Sequence, residues 1–361
     1  MITHRYLVLA VFGIIFLFPF GCKKDDVNKP KTGPEWVVFN RSNSPIYSNN
    51  VLTVFSGNEN TIWFGTDSGA SSFHAGFWGG IRESLSYTLS HGVGRQVNAI
   101  TQSKDGSLWF GLQGGGIVRY TKGGSSQAYT HFSLATDLIP SDFVAGLAGE
   151  LTQLGEVYAV SVSGGGSRYT PDLLVAGEGV WHQLKTDNRI YLPYPNIPTV
   201  AINPVDYNIW FGTYSDGTTE YNGDQTFTNF ALPNTYNFAI KSMAFDLAGL
   251  VWIGKSDSGV SVLNKATGVW LRHYTNSSTG GKLPQGPVNA VVTNFRTVRW
   301  FGTNHGLVQL ADSTWTLYTT SNSPLPSNII NALSIDTNGN LWIGTNKGVV
   351  AFQAGGTIFG N

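Results

Sequence analysis

Residues 336–350 read Asp-Thr-Asn-Gly-Asn-Leu-Trp-Ile-Gly-Thr-Asn-Lys-Gly-Val-Val, and this stretch is the clearest copy of a unit that recurs along the chain. Five further copies carry the same Trp-[Phe/Ile]-Gly core, centred on Trp63, Trp109, Trp210, Trp252 and Trp300. A divergent copy with Tyr158 in place of tryptophan makes seven, spaced by 42 to 52 residues. Internal repetition at a fixed period is the signature of a repeat architecture.

The period is the length of a four-stranded propeller blade, roughly 40–45 residues in related repeats. Within each copy, an alternating apolar stretch such as 289–291 predicts an inner strand. An Asp/Asn-Gly turn then leads into the Trp-[Phe/Ile]-Gly strand, and a second glycine turn leads into a third strand. An aromatic segment such as 315–318 predicts the outer strand. The sequence therefore predicts an all-β, seven-bladed β-propeller with four antiparallel strands per blade.

The two ends of the repeat array predict how the ring closes. The last copy stops near Phe352 without an aromatic outer strand. An isolated outer strand, Trp-Val-Val-Phe-Asn-Arg-Ser-Asn-Ser-Pro at residues 36–45, matches residues 315–324 instead. The N-terminal strand should complete the last blade and leave no exposed sheet edge. The divergent third copy leaves six or eight blades as the alternative count.

The N-terminal segment differs from the rest of the chain. Arg5 precedes an apolar run at residues 6–20 that is too short for a comfortable membrane span and suits a secretory signal. Cys22 is the only cysteine, so no disulfide forms within the chain. We expect a signal peptide at residues 1–21, a tether at residues 22–34 and one propeller domain at residues 35–361. An ordinary signal or an uncleaved anchor with an incidental cysteine is the alternative.

A cysteine placed directly after such a run resembles the lipobox of bacterial lipoproteins. The resemblance implies acylation of Cys22, with palmitate-type chains that hold the mature protein to a membrane. The sequence that follows, Lys23-Lys24-Asp25-Asp26, resembles the export signal of some outer-membrane surface lipoproteins. It implies a lipid anchor at the outer membrane, facing the cell surface or the periplasm. A solvated linker explains the same charges.

Composition excludes some function classes. The 361 residues have a net charge of zero, 12% charged and 13% aromatic residues, 44 glycines and 11 tryptophans. Such a chain has no basic surface for nucleic acid, since phosphate binding depends on Lys and Arg. The protein is expected to be a soluble, glycine-rich β domain, most simply a monomer.

The repeat resembles the two-component regulator propeller repeat, over residues 35–352. The resemblance implies a ligand-binding propeller of the type found in periplasmic sensors, often for glycans, and in stand-alone secreted proteins. No membrane helix, dimerisation domain or kinase follows residue 352, so a sensor's signalling half is not expected here. Streptogramin lyases share the repeat style, which makes a metal-dependent lyase or hydrolase the alternative.

Function is expected where the repeat varies, in the loops around the channel. The loops that enter the inner strand and those between the second and third strands should form this mouth. The ligand-binding candidates are Asp67, Arg95, Gln96, Asp142, Tyr214, Asp216, Tyr236, Asp257, His305 and Lys347. Tyr47, Tyr194, Asn234 and Asn237 are further aromatic and amide candidates. The partner would be a glycan or a protein, and a structural adaptor in an envelope complex is a third possibility.

No catalytic residue is predicted, because no H-x-x-x-H, H-x-E, nucleophile-elbow or phosphate-loop motif occurs. No cofactor is required. Asp67, Asp216 and Asp257 recur at one loop in three blades and could bind Ca²⁺ or Mg²⁺ in the channel through their oxygens. Turn propensity explains the same aspartates equally well. His305 is the one candidate that titrates near neutral pH.

Overall fold

The computed structural model describes residues 35–81, 95–123, 126–151, 154–172, 174–175, 178–184, 192, 195–222, 226–233, 239–257, 259–294 and 297–353. Over these residues the chain forms seven separate four-stranded antiparallel sheets. Two short 3₁₀ turns, Asn58–Asn60 and Ser277–Thr279, are the helical elements in this part of the chain. Within the same residues, no helix combines the length and hydrophobicity that a membrane crossing requires.

The strands follow the repeat in order. Blade 1 contains β2 (Val51–Ser56), β3 (Ile62–Thr66), β4 (Gly69–His74) and β5 (Phe77–Ile81). Blade 2 contains β6 (Val97–Gln102), β7 (Leu108–Leu112), β8 (Ile117–Gly123) and β9 (Ser126–Phe132). Blade 3 contains β10 (Gly146–Gly149), β11 (Val157–Ser161), β12 (Gly165–Pro171) and β13 (Gly179–Gln183). Blade 4 contains β14 (Thr199–Ile202), β15 (Ile209–Gly212), β16 (Thr218–Tyr221) and β17 (Phe227–Phe230).

The remaining blades continue the same pattern. Blade 5 contains β18 (Ile240–Phe245), β19 (Leu250–Lys255), β20 (Val260–Asn264) and β21 (Val269–Tyr274). Blade 6 contains β22 (Val288–Thr293), β23 (Val298–Thr303), β24 (Gly306–Ala311) and β25 (Thr314–Tyr318). Blade 7 contains β26 (Ile330–Ile335), β27 (Leu341–Thr345), β28 (Gly348–Gln353) and, as its outer strand, β1 (Glu35–Phe39). The seven-bladed prediction is confirmed.

The N-terminal strand closes the ring as predicted. Strand β1 pairs with β28 so that Trp36 lies opposite Phe352, with their ring centroids 4.4 Å apart. Trp36 also lies 5.5 Å from the ring of Tyr318 on blade 6. The pairing covers the edge that β28 would otherwise expose and gives blade 7 the same four strands as the other blades.

The divergent third copy is a blade, and its chemistry explains the missing tryptophan. Tyr158 occupies the tryptophan position in β11 and is buried against Phe211 and Tyr221 of blade 4. Its hydroxyl donates a 2.6 Å hydrogen bond to the Glu156 carboxylate, which Arg168 approaches at 3.5 Å. Burial and the neighbouring Glu156 charge raise the pKa of the Tyr158 hydroxyl. A tyrosine–glutamate pair therefore does the packing that tryptophan does elsewhere.

The core is divided among the blade interfaces. Each of seven buried apolar clusters joins two neighbouring sheets, and one of them joins blade 7 to blade 1 through Trp342 and Phe64. The glycine after the core aromatic pair allows this approach. A Cβ on Gly65 would lie 2.8 Å from the carbonyl oxygen of Val97 in blade 2. The repeated Trp-Gly pair is thus a packing element.

The ring has two faces, which we name by the turns that form them. The upper face carries the turns between second and third strands and the links to the next inner strand. The lower face carries the turns between first and second strands and between third and outer strands. Lower-face turns touch across blades: Thr337 donates to Asn60 at 3.0 Å, and the Asn58 N–H donates to Gln102 at 2.8 Å.

Candidate functional site

A cavity of about 530 Å³ opens at the upper end of the central channel. Its lining is drawn from all seven blades, so the cavity is a property of the closed ring. The lining residues are Leu52, Asn98, Val162, Pro198, Tyr214, Ala239, Lys241, Ser256, Asn289 and Asn331. Most are uncharged and polar or small, as expected for a ligand site that orients hydroxyl or amide groups.

A β-bulge brings the inner strands' side chains into this cavity. In five blades the pairing of the inner strand with the second strand shifts by one residue at the same place. The residues skipped by the shift are Leu52, Asn98, Lys241, Asn289 and Asn331, and all five line the cavity. Bulges often redirect a side chain next to a functional site.

Three of the bulge residues also join neighbouring blades. Asn98, Asn289 and Asn331 each donate a side-chain N–H to a backbone carbonyl of the next blade, in its inner strand or just before it, at 3.1, 2.9 and 2.8 Å. The third of these bonds ends on Val51 and lies across the ring closure. Asn98 and Asn289 use a second N–H on Gln113 and Asn304. Because these nitrogens serve the ring, Asn289 offers a ligand its amide oxygen, whereas the Asn98 oxygen already accepts a hydrogen bond from Gln96.

Among the described residues that line the cavity, Lys241 is the one with a charged side chain, and it is exposed. Lys241 is not among the residues predicted from the sequence, although it stands where three other blades carry the asparagine of the repeat. The replacement of the repeat's asparagine by lysine at this position was the sequence signal that could have identified it. Its ammonium group adds a positive charge to the uncharged side chains of the other described lining residues.

Of the ten predicted candidates, Tyr214 lines the cavity and is 56% exposed. Asp67, Asp216, His305 and Lys347 lie on turns of the upper face, around the cavity. The threonine of the repeat fixes these turns: Thr303 and Thr345 each accept the N–H of the residue two places on and donate to a glycine carbonyl. These hydrogen bonds hold the turns in one conformation. The pair of residues that follows the threonine differs from blade to blade, so each turn presents different side chains on the upper face.

Three further candidates support their own loops. Gln96 donates to Asn98 at 2.9 Å, and Asp142 accepts the Leu134 N–H at 2.8 Å. Arg95 lies beside Gln96, with a partly exposed side chain. Tyr236, Tyr194, Asn234, Asn237 and Cys22 lie outside the described residues.

Asp257 belongs to a charged group that is special to blade 5. Lys255 replaces the repeat's threonine, is fully buried, and lies 3.8 Å from Asp257. Burial lowers the pKa of the Lys255 ammonium, and the Asp257 carboxylate opposes that effect. Burial, reinforced by the Lys255 charge, lowers the pKa of His273 to about 4. At neutral pH this imidazole is therefore uncharged.

The three aspartates proposed to bind a cation are not gathered at one point. Asp67 accepts hydrogen bonds from Ser68 and Asn50, Asp216 accepts one from Ser215, and Asp257 lies by Lys255. Among the residues that the structure describes, no group of three or more His, Cys, Asp or Glu side chains is placed to hold a metal ion. Local turn bonding accounts for what these aspartates do in this structure.

A second cavity, of about 520 Å³, lies at the outer rim between blades 2 and 3. Its walls include Tyr169, Asp172, Glu178 and His182. The Tyr169 ring packs at the blade 2–3 interface against Trp109, with centroids 4.8 Å apart. Two neighbouring blades form this groove, whereas all seven contribute to the central cavity.

The chain is similar in fold to several bacterial propellers. The extracellular domain of a hybrid two component system from B. thetaiotaomicron superposes with a TM-score of 0.66 at 15% identity, over 89% of this chain and 42% of that one. A streptogramin B lyase superposes with a TM-score of 0.65 at 14% identity, over 89% and 98%. PorZ, a surface component of the type-IX secretion system of Porphyromonas gingivalis, gives 0.64 at 18%, over 88% and 48%.

The chain therefore spans less than half the length of the sensor domain and of PorZ. At these identities the likenesses establish the fold. No curated protein matches the sequence. Residues 324–347, which include the last Trp-Ile-Gly-Thr core, match the family model described as two component regulator propeller. The chain is thus a seven-bladed β-propeller whose last repeat matches the two component regulator propeller model.

Proposed function

We propose that this protein is a non-catalytic binding lipoprotein of the bacterial cell envelope. Acylated Cys22 anchors it to the outer membrane, and the cavity at the channel mouth captures a glycan or a protein partner. The observation that carries the proposal is the cavity to which every blade contributes, with its amides, its tyrosine and its single lysine. The fold likeness to extracellular sensor domains supports a binding role.

The chemistry of the cavity favours an acidic glycan. Amide oxygens of the bulge asparagines accept bonds from sugar hydroxyls, and the Tyr214 ring offers an aromatic face. Lys241 provides a charge-assisted contact for a carboxylate or sulfate, and such contacts are shorter and stronger than neutral ones. Phe143 and Val162, which are 58% and 48% exposed on the same face, extend the surface for a larger ligand.

Binding of the purified full chain to arrays of neutral glycans, uronate-containing glycans and peptides tests the proposal. We expect Lys241→Ala to weaken binding of uronate-containing glycans by roughly tenfold or more, the effect of losing one charge-assisted hydrogen bond. Neutral glycans should be affected less. Lys104→Ala, on the lower face, is the matched control and should leave all affinities unchanged.

Two outcomes would overturn the proposal. One is that no glycan or peptide binds at millimolar concentration. The other is that an array glycan is cleaved and that His305→Ala abolishes the cleavage. The second result would favour the lyase or hydrolase alternative, for which the likeness to streptogramin lyase provides the fold alone.

A further inference from the structure

The chain enters the ring at the lower face. Strand β1 begins at Glu35, which pairs with Gln353 at the end of β28. The same end of blade 7 holds the turn between β26 and β27, where Ile335 pairs with Leu341. The segment that joins Cys22 to the ring therefore attaches to the lower face at blade 7. Its 13 residues can span at most about 45 Å.

Exposed apolar side chains are concentrated on this lower face, on the side of the ring opposite blade 7. Among the described residues, 17 large hydrophobic side chains are exposed, and nine of them lie at the lower ends of blades 3, 4 and 5. We name these nine the lower apolar rim: Leu151, Leu154, Leu174, Val175, Val180, Val205, Tyr207, Leu247 and Val269. In a seven-membered ring, blades 3 and 4 lie directly across from blade 7.

The rim is a departure from the repeat. The lower-face turns of blades 2 and 7 carry Lys104-Asp105-Gly106 and Thr337-Asn338-Gly339. The corresponding turns of blades 3, 4 and 5 present leucine, valine and tyrosine instead. Leu174 is 94% exposed and Leu247 65%, which is unusual for leucine in water.

Tyr207 adds a conformational observation. Its φ is 61°, in the left-handed region that residues with a Cβ seldom adopt. Its N–H donates to the Asn203 carbonyl at 2.8 Å, which holds the turn in this conformation. Tyrosine is enriched at membrane–water interfaces, where its ring and hydroxyl face different environments.

The charges beside the rim do not favour an anionic surface. Asp172 and Glu178 are exposed carboxylates next to Leu174, and Lys265 pairs with both Asp206 and Glu220. A surface that attracts acidic lipids requires clustered lysine or arginine. The rim therefore suits the interfacial layer of a zwitterionic bilayer, in which apolar side chains can be buried.

We propose that the lower apolar rim rests on the membrane that the Cys22 anchor occupies, so that the ring lies flat and the channel mouth faces away from the bilayer. The inference rests on the proposed acylation of Cys22. One anchor at blade 7 leaves the ring free to pivot, whereas a second contact at blades 3–5 fixes its orientation.

Site-specific fluorescence on the lipidated full chain tests this seating. Because acylation consumes Cys22, an engineered cysteine carries the only NBD label. Labels at Leu247→Cys and Leu154→Cys are compared with a label at Phe143→Cys on the upper face. The chain is reconstituted in phosphatidylcholine–phosphatidylethanolamine vesicles with and without brominated acyl chains. We expect bromine to halve the emission, at least, of the lower-face labels and to leave the Phe143 position unchanged.

A second variant separates seating from labelling effects. Replacing Leu174, Val205 and Leu247 by serine removes exposed side chains, so the fold should be retained. The Leu154→Cys label should then lose most of its quenching while the chain still floats with the vesicles. The seating alone is overturned if the chain floats with the vesicles but bromine does not quench its lower-face labels. It is also overturned if bromine quenches the upper-face label instead. A chain that does not float overturns the seating and the anchor together.

Discussion

At the scale of single residues, a carboxylate holds the core tryptophan in blades 5 and 7. The indole N–H of Trp252 donates to Asp246 and that of Trp342 to Asp336, each at 2.9 Å. Both aspartates also accept backbone N–H groups of their own turn. One side chain therefore closes the turn and orients the ring that fills the blade interface. The aspartate of the repeat is explained by this double role.

His273 gives a pH prediction at the residue scale. Its pKa is about 4 in the folded protein, because of burial and then the Lys255 charge, against an ordinary value of 6.5. Between these pH values His273 is protonated in the unfolded chain but stays neutral in the folded protein. The free energy of unfolding should therefore fall as pH decreases from 6.5 to 4. The His273 imidazole is partly exposed to screening solvent, so we expect a loss on the order of 1 kcal/mol.

Urea titrations of the wild type and of His273→Gln at pH 7, 5.5 and 4.5 measure this effect. The variant should be less sensitive to pH across that range. Equal sensitivity in the two proteins would show that His273 protonates equally well in the folded and the unfolded chain.

The candidate site could be predicted only in part from individual residues. Turn residues such as Asp67 and His305 were placed on the correct face, because glycine turns mark loop positions in sequence. Lys241 and the three bulge asparagines were missed as cavity residues. A bulge breaks the two-residue alternation that would otherwise indicate which side chains of a strand share a face.

At the scale of elements, a glycine in the second strand of six of the seven blades sets how closely two blades approach. An ideal Cβ on Gly65 would lie 2.5 Å from Thr53 Cγ2 and 2.8 Å from the Val97 carbonyl oxygen. The carbonyl belongs to a paired strand and cannot move without disturbing blade 2. We expect Gly65→Ala to lower the free energy of unfolding by about 2–3 kcal/mol, the cost typical of overpacking.

Gly57→Ala is the matched control for that substitution. Gly57 has a φ of −87°, which alanine adopts readily, and a Cβ there would meet its nearest atoms at 3.3–3.4 Å. Its effect should stay within about 1 kcal/mol in either direction. Chemical denaturation measures the free energy of unfolding of both variants. Equal losses in the two variants would mean that Gly65 is present for a reason other than the distance between blades.

Elements were the scale at which sequence was most informative. The spacing of the cores and the match of residues 36–45 to 315–324 predicted the strand order and the closure, because each blade repeats one local pattern. The third blade shows the limit. Its Tyr158–Glu156 pair replaces a Trp–Asp pair with a different spacing, two residues instead of six, which no repeat pattern would reveal.

At the scale of the whole molecule, the two faces divide the proposed tasks. The chain enters at the lower face, and the cavity opens on the upper one. On the proposal that Cys22 anchors the chain and the lower apolar rim rests on the bilayer, the channel mouth faces away from the membrane. Strand β1 connects the proposed membrane attachment to the proposed ligand site. It is the strand nearest the tether, and it completes blade 7, whose Asn331 lines the cavity.

This closure predicts a particular response to substitution. Trp36 in β1 and Trp315 in β25 are both half-buried outer-strand aromatics, and each contacts rings on two other strands. Strand β25 is also connected to β24 by a short turn, whereas β1 is held to β28 by pairing alone, from the opposite end of the sequence. Losing the Trp36 contacts should therefore release β1 locally, at little cost to the other blades.

In Trp36→Ala, hydrogen exchange followed by mass spectrometry should show faster exchange in residues 35–39 and 348–353. In Trp315→Ala, the hairpin should keep residues 314–318 protected to within a few-fold of wild type. Comparable loss of protection at the two sites would mean that the joint at blade 7 is no weaker than an ordinary hairpin.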